Sequence, residues 1–284
     1  MNAAADNRHA PLTPVLPPQG LAVKLVGCGG VGAQLARPLC CYLAGLQVPC
    51  RVLFADGDVF EPANLARVLF PRPGNKAAIL RDDLAPLVGS PFFTLLALPE
   101  YVTAQNVARL IGEGDIVLLC LDNHASRKLI NDFCRGAGDG GPDKPAGRRN
   151  VVLISGGNDG VEVVNGQPRR GTYGSVQVYI RRDGQDITPD LSQFHPEIAK
   201  PADRLPTEKG CSEMLNSVPQ LLAANAMVAA VMLSTLVLVL CDRLHYGEIA
   251  FDIADGLMRP LPLFPPAPPE GAAQPPKTRT KSPG

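Results

Sequence analysis

Gly27-Cys28-Gly29-Gly30-Val31-Gly32 separates a short apolar run, Leu21-Ala22-Val23-Lys24-Leu25-Val26, from a stretch with helical character. The run has the length and β-branched content of a buried strand. Gly27, Gly29 and Gly32 fall in G-x-G-x-x-G spacing. Glycines so placed let backbone approach a phosphate and let the following helix pack close to the strand. The helix start then supplies unpaired amides and the positive end of a dipole. This stretch alone implies a nucleotide-binding βαβ unit, or an ordinary tight strand–helix turn, and its surroundings must decide between them.

Outward from that turn, strands and helices alternate. Helices are expected near 31–44, 76–87, 104–111 and 125–134, with strands at 51–55, 92–98, 115–121 and 151–155. The pattern implies an α/β fold, doubly wound, with a mostly parallel sheet carrying helices on both faces and a Rossmann-like nucleotide-binding half. Beyond Ser155 the character changes to alternating, half-exposed strands at 175–180 and 248–253, an antiparallel C-terminal extension. Between them, 182–212 reads as a long polar surface loop. The segment 221–241 is apolar almost throughout and long enough to span a membrane. Within an α/β chain it is expected instead to pack on the sheet and to supply a subunit contact. Residues 1–20 form a loose Pro-rich arm, 21–258 the folded domain, and 259–284 a disordered, basic Pro-rich tail.

Composition limits the function classes. The 284 residues carry 27 Lys+Arg against 27 Asp+Glu, and 45% are apolar. That balance gives no bulk charge for nucleic acid or for an anionic membrane, so neither partner is expected. The eight cysteines form no C-x-x-C pair, which removes the commonest zinc spacing, and no zinc is expected. The N-terminus lacks the pattern of a signal peptide, and a reducing cytoplasmic setting is expected.

Ligands of such sheets sit beyond the C-terminal strand ends. The glycine turn, Asp56 and Asp122 all fall there. Asp56 stands where a dinucleotide site wants a carboxylate for ribose hydroxyls, so a nicotinamide-dependent oxidoreductase competes at this point. Asn64-Leu65-Ala66-Arg67 and Lys76 shift the balance, because a triphosphate needs several fixed cations. Asp122, with Asn123-His124-Ala125-Ser126-Arg127 after it, is placed to hold Mg²⁺ near phosphates.

The set Gly27–Gly32, Asp56-Gly57-Asp58, Asn64-Leu65-Ala66-Arg67, Lys76 and Asp122-Asn123-x-x-Ser126-Arg127 resembles the adenylation domain of the ThiF/MoeB and ubiquitin-activating enzyme superfamily. The similarity covers roughly 20–157 and, more weakly, the chain to about Asp255. Within the superfamily it most resembles the ThiF-like family of the plasmid-associated PRTRC gene systems. The resemblance implies ATP-dependent adenylation of the C-terminal carboxylate of a small ubiquitin-like or sulfur-carrier protein by a homodimer, with pyrophosphate released. Carried over by residue, Gly27, Gly29, Gly30 and Gly32 form the nucleotide turn and Asp56 binds ribose, with Asp58 beside it. Asn64, Arg67 and Lys76 hold phosphates, Asp122 holds Mg²⁺, and Asn123 and Arg127 brace that strand end. Each of these residues also has a plain structural reading, as a cap, a turn or a solvated charge.

Two departures stand out. Many relatives carry paired C-x-x-C zinc ligands, which this chain lacks. Relatives that form a thioester use a cysteine on or near the crossing loop. Cys211, in Glu208-Lys209-Gly210-Cys211-Ser212-Glu213, lies in such a segment. It reads equally as a structural cysteine leading into a helix. A nucleotide-binding scaffold without turnover stays open as a second reading of the whole chain.

Overall fold

The computed structural model describes residues 11–61, 70–136, 147–164, 167–193, 195–208 and 220–263. Asn64, Arg67, Cys211 and the basic end of the tail lie outside the described residues.

Strands β1 (Leu21–Val26), β2 (Cys50–Ala55), β3 (Val59–Phe60), β4 (Gly74–Asn75), β5 (Phe93–Leu98), β6 (Ile116–Leu119) and β7 (Val151–Asn158) build the first half. Helices α1 (Gly30–Gly45), α2 (Lys76–Leu84), α3 (Val107–Leu110) and α4 (His124–Arg135) connect them. The second half holds the hairpin β8 (Val161–Val164) and β9 (Gln167–Arg170), then β10 (Tyr173–Arg182) and β11 (Gln185–Asp186). It continues with helices α5 (Pro196–Ala199) and α6 (Leu222–Leu240), and ends with β12 (Tyr246–Asp252) and β13 (Leu257–Pro262).

One nine-stranded sheet runs in the order β13-β12-β10-β7-β6-β1-β2-β5, with β11 on β10. Strands β7, β6, β1, β2 and β5 are mutually parallel, while β10, β11, β12 and β13 join antiparallel. The doubly wound expectation and its antiparallel extension are both present.

Alternation along each strand divides the core between two faces. Leu25, Ile116, Leu118, Val176 and Val178 point to the face covered by α1, α2 and α6. Val26, Val117, Leu119, Leu153 and Tyr179 point to the face covered by α3 and α4 with Leu191 and Ile198. β6, buried on both faces at every position, has no polar position to spare, which is why it reads as a continuous apolar run. On α1, Leu35, Leu39 and Leu43 recur every fourth residue and are fully buried. Burying each contributes about 2 kcal/mol.

The extension differs from the expectations in several places. β13 runs to Pro262 and pairs with β12, so the folded part reaches past 258. Proline is tolerated there because β13 is an edge strand whose outer side needs no donor. The arm is tied at Val15, whose N–H donates to the carbonyl of Leu240 at 2.7 Å. The segment 182–212 carries β11, α5 and a short 3₁₀ turn at Pro206–Glu208. α3 is a single turn, shorter than the 104–111 helix expected. α6 has the length and hydropathy of a membrane span. Here it lies on α1, β7 and β10, with Val228, Met232 and Leu236 buried and Leu222, Met227 and Ser234 facing outward.

Candidate active site

The glycine turn is shaped by two close approaches. Gly27 has φ +90°, a region L-residues avoid, and a Cβ there would sit 2.6 Å from the Cys120 carbonyl oxygen. A Cβ on Gly32 would collide with the carbonyl of Gly27. These contacts hold α1 hard against the ends of β1 and β6. Gly29 is different: nothing lies within 4 Å of where its Cβ would be. The turn is thus packed below and open above, at the N-terminus of α1. Cys28 is fully buried there and its thiol pKa is pushed up by burial, so it serves as packing and not as a nucleophile.

A chain of polar contacts joins this turn to the start of α2. The Cys28 N–H donates to Asp56 Oδ2 at 2.6 Å, and the Asp58 N–H donates to Asp56 Oδ1 at 2.7 Å. Asn75 donates from Nδ2 to the carbonyls of Asp56 (2.7 Å) and Asp58 (3.1 Å), while its Oδ1 caps α2 at Ala78. Lys76 Nζ lies 2.8 Å from Asp58 Oδ2, and the Tyr101 hydroxyl donates to the same carboxylate. The ammonium is held near the glycine turn by a partner that a phosphate oxygen can replace.

Burial pushes the Asp56 carboxyl up to about 6, and repulsion from Asp58 adds to the rise. The amides of Cys28 and Asp58 and the charge of Lys76 oppose it. Both Asp56 oxygens already accept amide hydrogens, so it clips the turn to the end of β2, and lone pairs remain for a hydroxyl.

The third part of the rim follows β6. Asp122 is exposed there, and its charge is felt by Arg127 and Tyr101. Arg127 is buried, donating to the carbonyls of Leu121 (2.5 Å from Nη2, 3.1 Å from Nε) and Gly156 (2.9 Å) and to Ser155 Oγ. Asn123 caps α4 by accepting the Ser126 N–H and donates to the Arg204 carbonyl at 2.7 Å. The polar groups of Asn123 and Arg127 are spent on protein, and the two side chains fix the backbone that presents Asp122. Asp203 closes the N-terminus of α4, accepting from the amides of His124 (2.8 Å) and Ala125 (2.9 Å). Among the described residues no three His, Cys, Asp or Glu side chains cluster as a metal site. Mg²⁺ needs only one or two carboxylates when phosphates complete its shell, so Asp122 suits that role.

Tyr101, Asn75 and Asp203 were missed from the sequence. Tyr101 packs its ring over Gly57, where a Cβ would lie 2.5 Å from it. The signal for Asn75 was present, since a residue with a short polar side chain directly precedes the helix. Tyr101 and Asp203 carry no local signal.

A separate cavity of about 320 Å³ lies on the antiparallel half, between Gln177, Leu191, His195, Glu248 and Leu261. There His195 Nε2 lies 3.1 Å from Glu248 and Nδ1 2.9 Å from Glu197.

The ThiS sulfur carrier protein adenylyltransferase of Escherichia coli K12 is 36% identical over 118 residues, 39% of this chain and 43% of that protein. The adenylyltransferase and sulfurtransferase MOCS3 of Danio rerio is 32% identical over 116 residues, 40% of this chain and 24% of that protein. The chain therefore spans less than half the length of these curated relatives. Among solved structures, E. coli MccB with ATP superposes with a TM-score of 0.57 at 15% identity, covering 87% of this chain and 64% of that one. That likeness concerns the fold. The ThiF family model matches residues 20–254, and the chain belongs to the ThiF family.

Proposed function

We propose that this protein is an adenylyltransferase that activates the C-terminal carboxylate of a small ubiquitin-like or sulfur-carrier protein with ATP. The observation that carries the reading is the relay Lys76–Asp58–Asp56–Cys28, which sets a fixed cation beside the uncapped start of α1. A pyrophosphate bridge between nucleosides has little use for that cation, whereas a triphosphate undergoing attack does. The sulfur-carrier adenylyltransferase among the relatives, and the sequence resemblance, supply the substrate class.

In this reading ATP supplies the adenylyl group, and pyrophosphate leaves as the carboxylate oxygen bonds to the α-phosphorus. The first turn of α1 receives phosphate oxygens, and Asp56 holds a ribose hydroxyl. Lys76 leaves Asp58 to neutralise charge that develops at the α-phosphate, and Arg67 and Asn64 join it. Asp122 holds Mg²⁺, on a backbone kept in place by Asn123 and Arg127. Most of the rate acceleration then comes from positioning and preorganised charge. The homodimer, with the outward stripe of Leu222 and Met227 as its contact, the cytoplasmic setting and the placement beside the PRTRC-system proteins belong to the same proposal. So does the absence of zinc. A thioester on Cys211 is a further step of this reading, tested by mass spectrometry after incubation with ATP and carrier.

The test is pyrophosphate exchange dependent on ATP, Mg²⁺ and a carrier ending in glycine. Lys76→Ala and Asp122→Ala should each lower exchange at least a hundredfold. Full exchange in both variants would remove the site assignment. ATP binding with no exchange in the wild type would favour the scaffold reading.

A further inference from the structure

We propose that Asn225, on the first turn of α6, is a phosphate-contacting residue of the nucleotide site, its side-chain amide donating to the anion received by the first turn of α1. The inference rests on the nucleotide reading above for the identity of that anion, and on the following geometry for its position.

Asn225 is fully buried, and among the described residues neither Oδ1 nor Nδ2 has a hydrogen-bond partner. A buried amide left unpaired is costly, and native proteins keep one where something else completes it. The side chain lies directly against the glycine turn. A Cβ on Gly30 would run into Nδ2 and come within 2.9 Å of Cγ, so only glycine lets the amide rest on the backbone there.

Two helices meet at this point in the same sense. α1 and α6 pack side by side, with Gly30 against Asn225 at one end and the Tyr42 hydroxyl feeling Cys241 at the other. They run parallel, and both positive dipole ends reach the same rim. Neither N-cap residue, Gly29 or Leu221, gives a side-chain acceptor, and neither first turn carries an acid. The neighbouring α4 shows the opposite treatment, since Asn123 and Asp203 fill its N-terminus with oxygens. One helix start on this rim is closed by the protein's own carboxylate. Two others are left open by the described residues, with an unpaired amide between them, and an anion completes all three sets of donors at once.

Full-length wild type, Asn225→Ala and Asn225→Asp are titrated calorimetrically with a non-hydrolysable ATP analogue and, separately, with inorganic pyrophosphate, both with Mg²⁺. Thermal unfolding of the unliganded proteins is recorded alongside. Asn225→Ala should unfold at or above the wild-type temperature, because it discards an unpaired amide, and should bind both probes at least tenfold more weakly. Asn225→Asp, alike in size but anionic, should weaken both further. Wild-type affinity in Asn225→Ala overturns the proposal. So does a fall of several degrees in its unliganded unfolding temperature, which would show the amide to be holding the protein itself. If the wild type binds pyrophosphate but not the ATP analogue, and Asn225→Ala loses pyrophosphate, Asn225 stands and the ATP reading falls. If the wild type binds the analogue and both variants match it, the ATP reading stands and Asn225 falls. A wild type that binds neither probe overturns both.

Discussion

The parallel and antiparallel halves of the sheet spend their side chains differently. β6 is buried at every position and β1, β2 and β7 are largely buried, and the polar groups of the rim, Asp56 and Asp122, stand beyond the ends of β2 and β6. β13 is exposed along its whole length, and β12 is only half covered. Titratable groups such as His195 and Glu248 therefore sit on the face of the second half, beside a cavity. A strand buried on both sides can offer function only where it stops, whereas a strand with one wet face can offer it along its length.

The comparison breaks most readily at Arg127, where the halves meet. Arg127→Ala strands the carbonyls of Leu121 and Gly156 and the hydroxyl of Ser155 without their donor. It should cost about 4 kcal/mol in urea denaturation. A loss below about 1 kcal/mol would mean the guanidinium does not hold the rim.

Next in size is the pH response of Asp56. Its carboxyl, raised to about 6 by burial and by Asp58, lies above the ordinary 3.8, so the folded protein keeps the proton longer than the unfolded chain. Stability contributed by this group falls as pH rises from about 4 to about 6, by at most about 3 kcal/mol, and is level above that. Asp56→Asn should remove that slope while keeping one acceptor. An unchanged slope in denaturation series at stepped pH would show Asp56 ionised throughout.

The antiparallel half gives the reverse sign at smaller amplitude. Burial works against charge on His195, but Glu248 and Glu197 hold its pKa above the ordinary histidine value. The stabilisation is present in full below about pH 6.5 and is lost as pH rises through the raised folded value. His195→Gln should cost about 1 kcal/mol at pH 5.5 and much less at pH 8.5. Equal losses at both values would assign the ring a packing role. Smallest is Leu257→Ala on exposed β13, expected within about 0.5 kcal/mol of wild type by thermal melting. A larger loss would show that this edge is covered.

The same contrast explains what the sequence revealed. Ile116-Val117-Leu118-Leu119 and Val151-Val152-Leu153-Ile154 are legible because two-faced burial leaves an unbroken apolar run, which in β1 only Lys24 interrupts. Asp56 and Asp122 are legible because strand ends in such sheets are where polar residues collect. β13, Leu-Met-Arg-Pro-Leu-Pro, reads as a tail, since its strand character comes from pairing with β12 and its burial pattern gives none. Tyr101 reaches Asp58 across 43 residues, and Asn123 reaches Arg204 across 81, so no local pattern announces either contact. Asn225 reads as an interruption in an apolar helix until Gly30 is seen beneath it.

The seat of α6 also has a consequence for how the chain is made. Gly156 brings no side chain to its place on β7, and Met232 and Val228 from α6 fill that space. Cys120 and Met232 meet with their sulfurs 3.7 Å apart although 112 residues separate them. A ribosome has released the entire parallel half before α6 emerges, and until then one face of α1 and β7 stays bare. Contacts of such long range form slowly and leave apolar surface open to association in the meantime. The turn that was synthesised among the first elements is thus among the last to be finished.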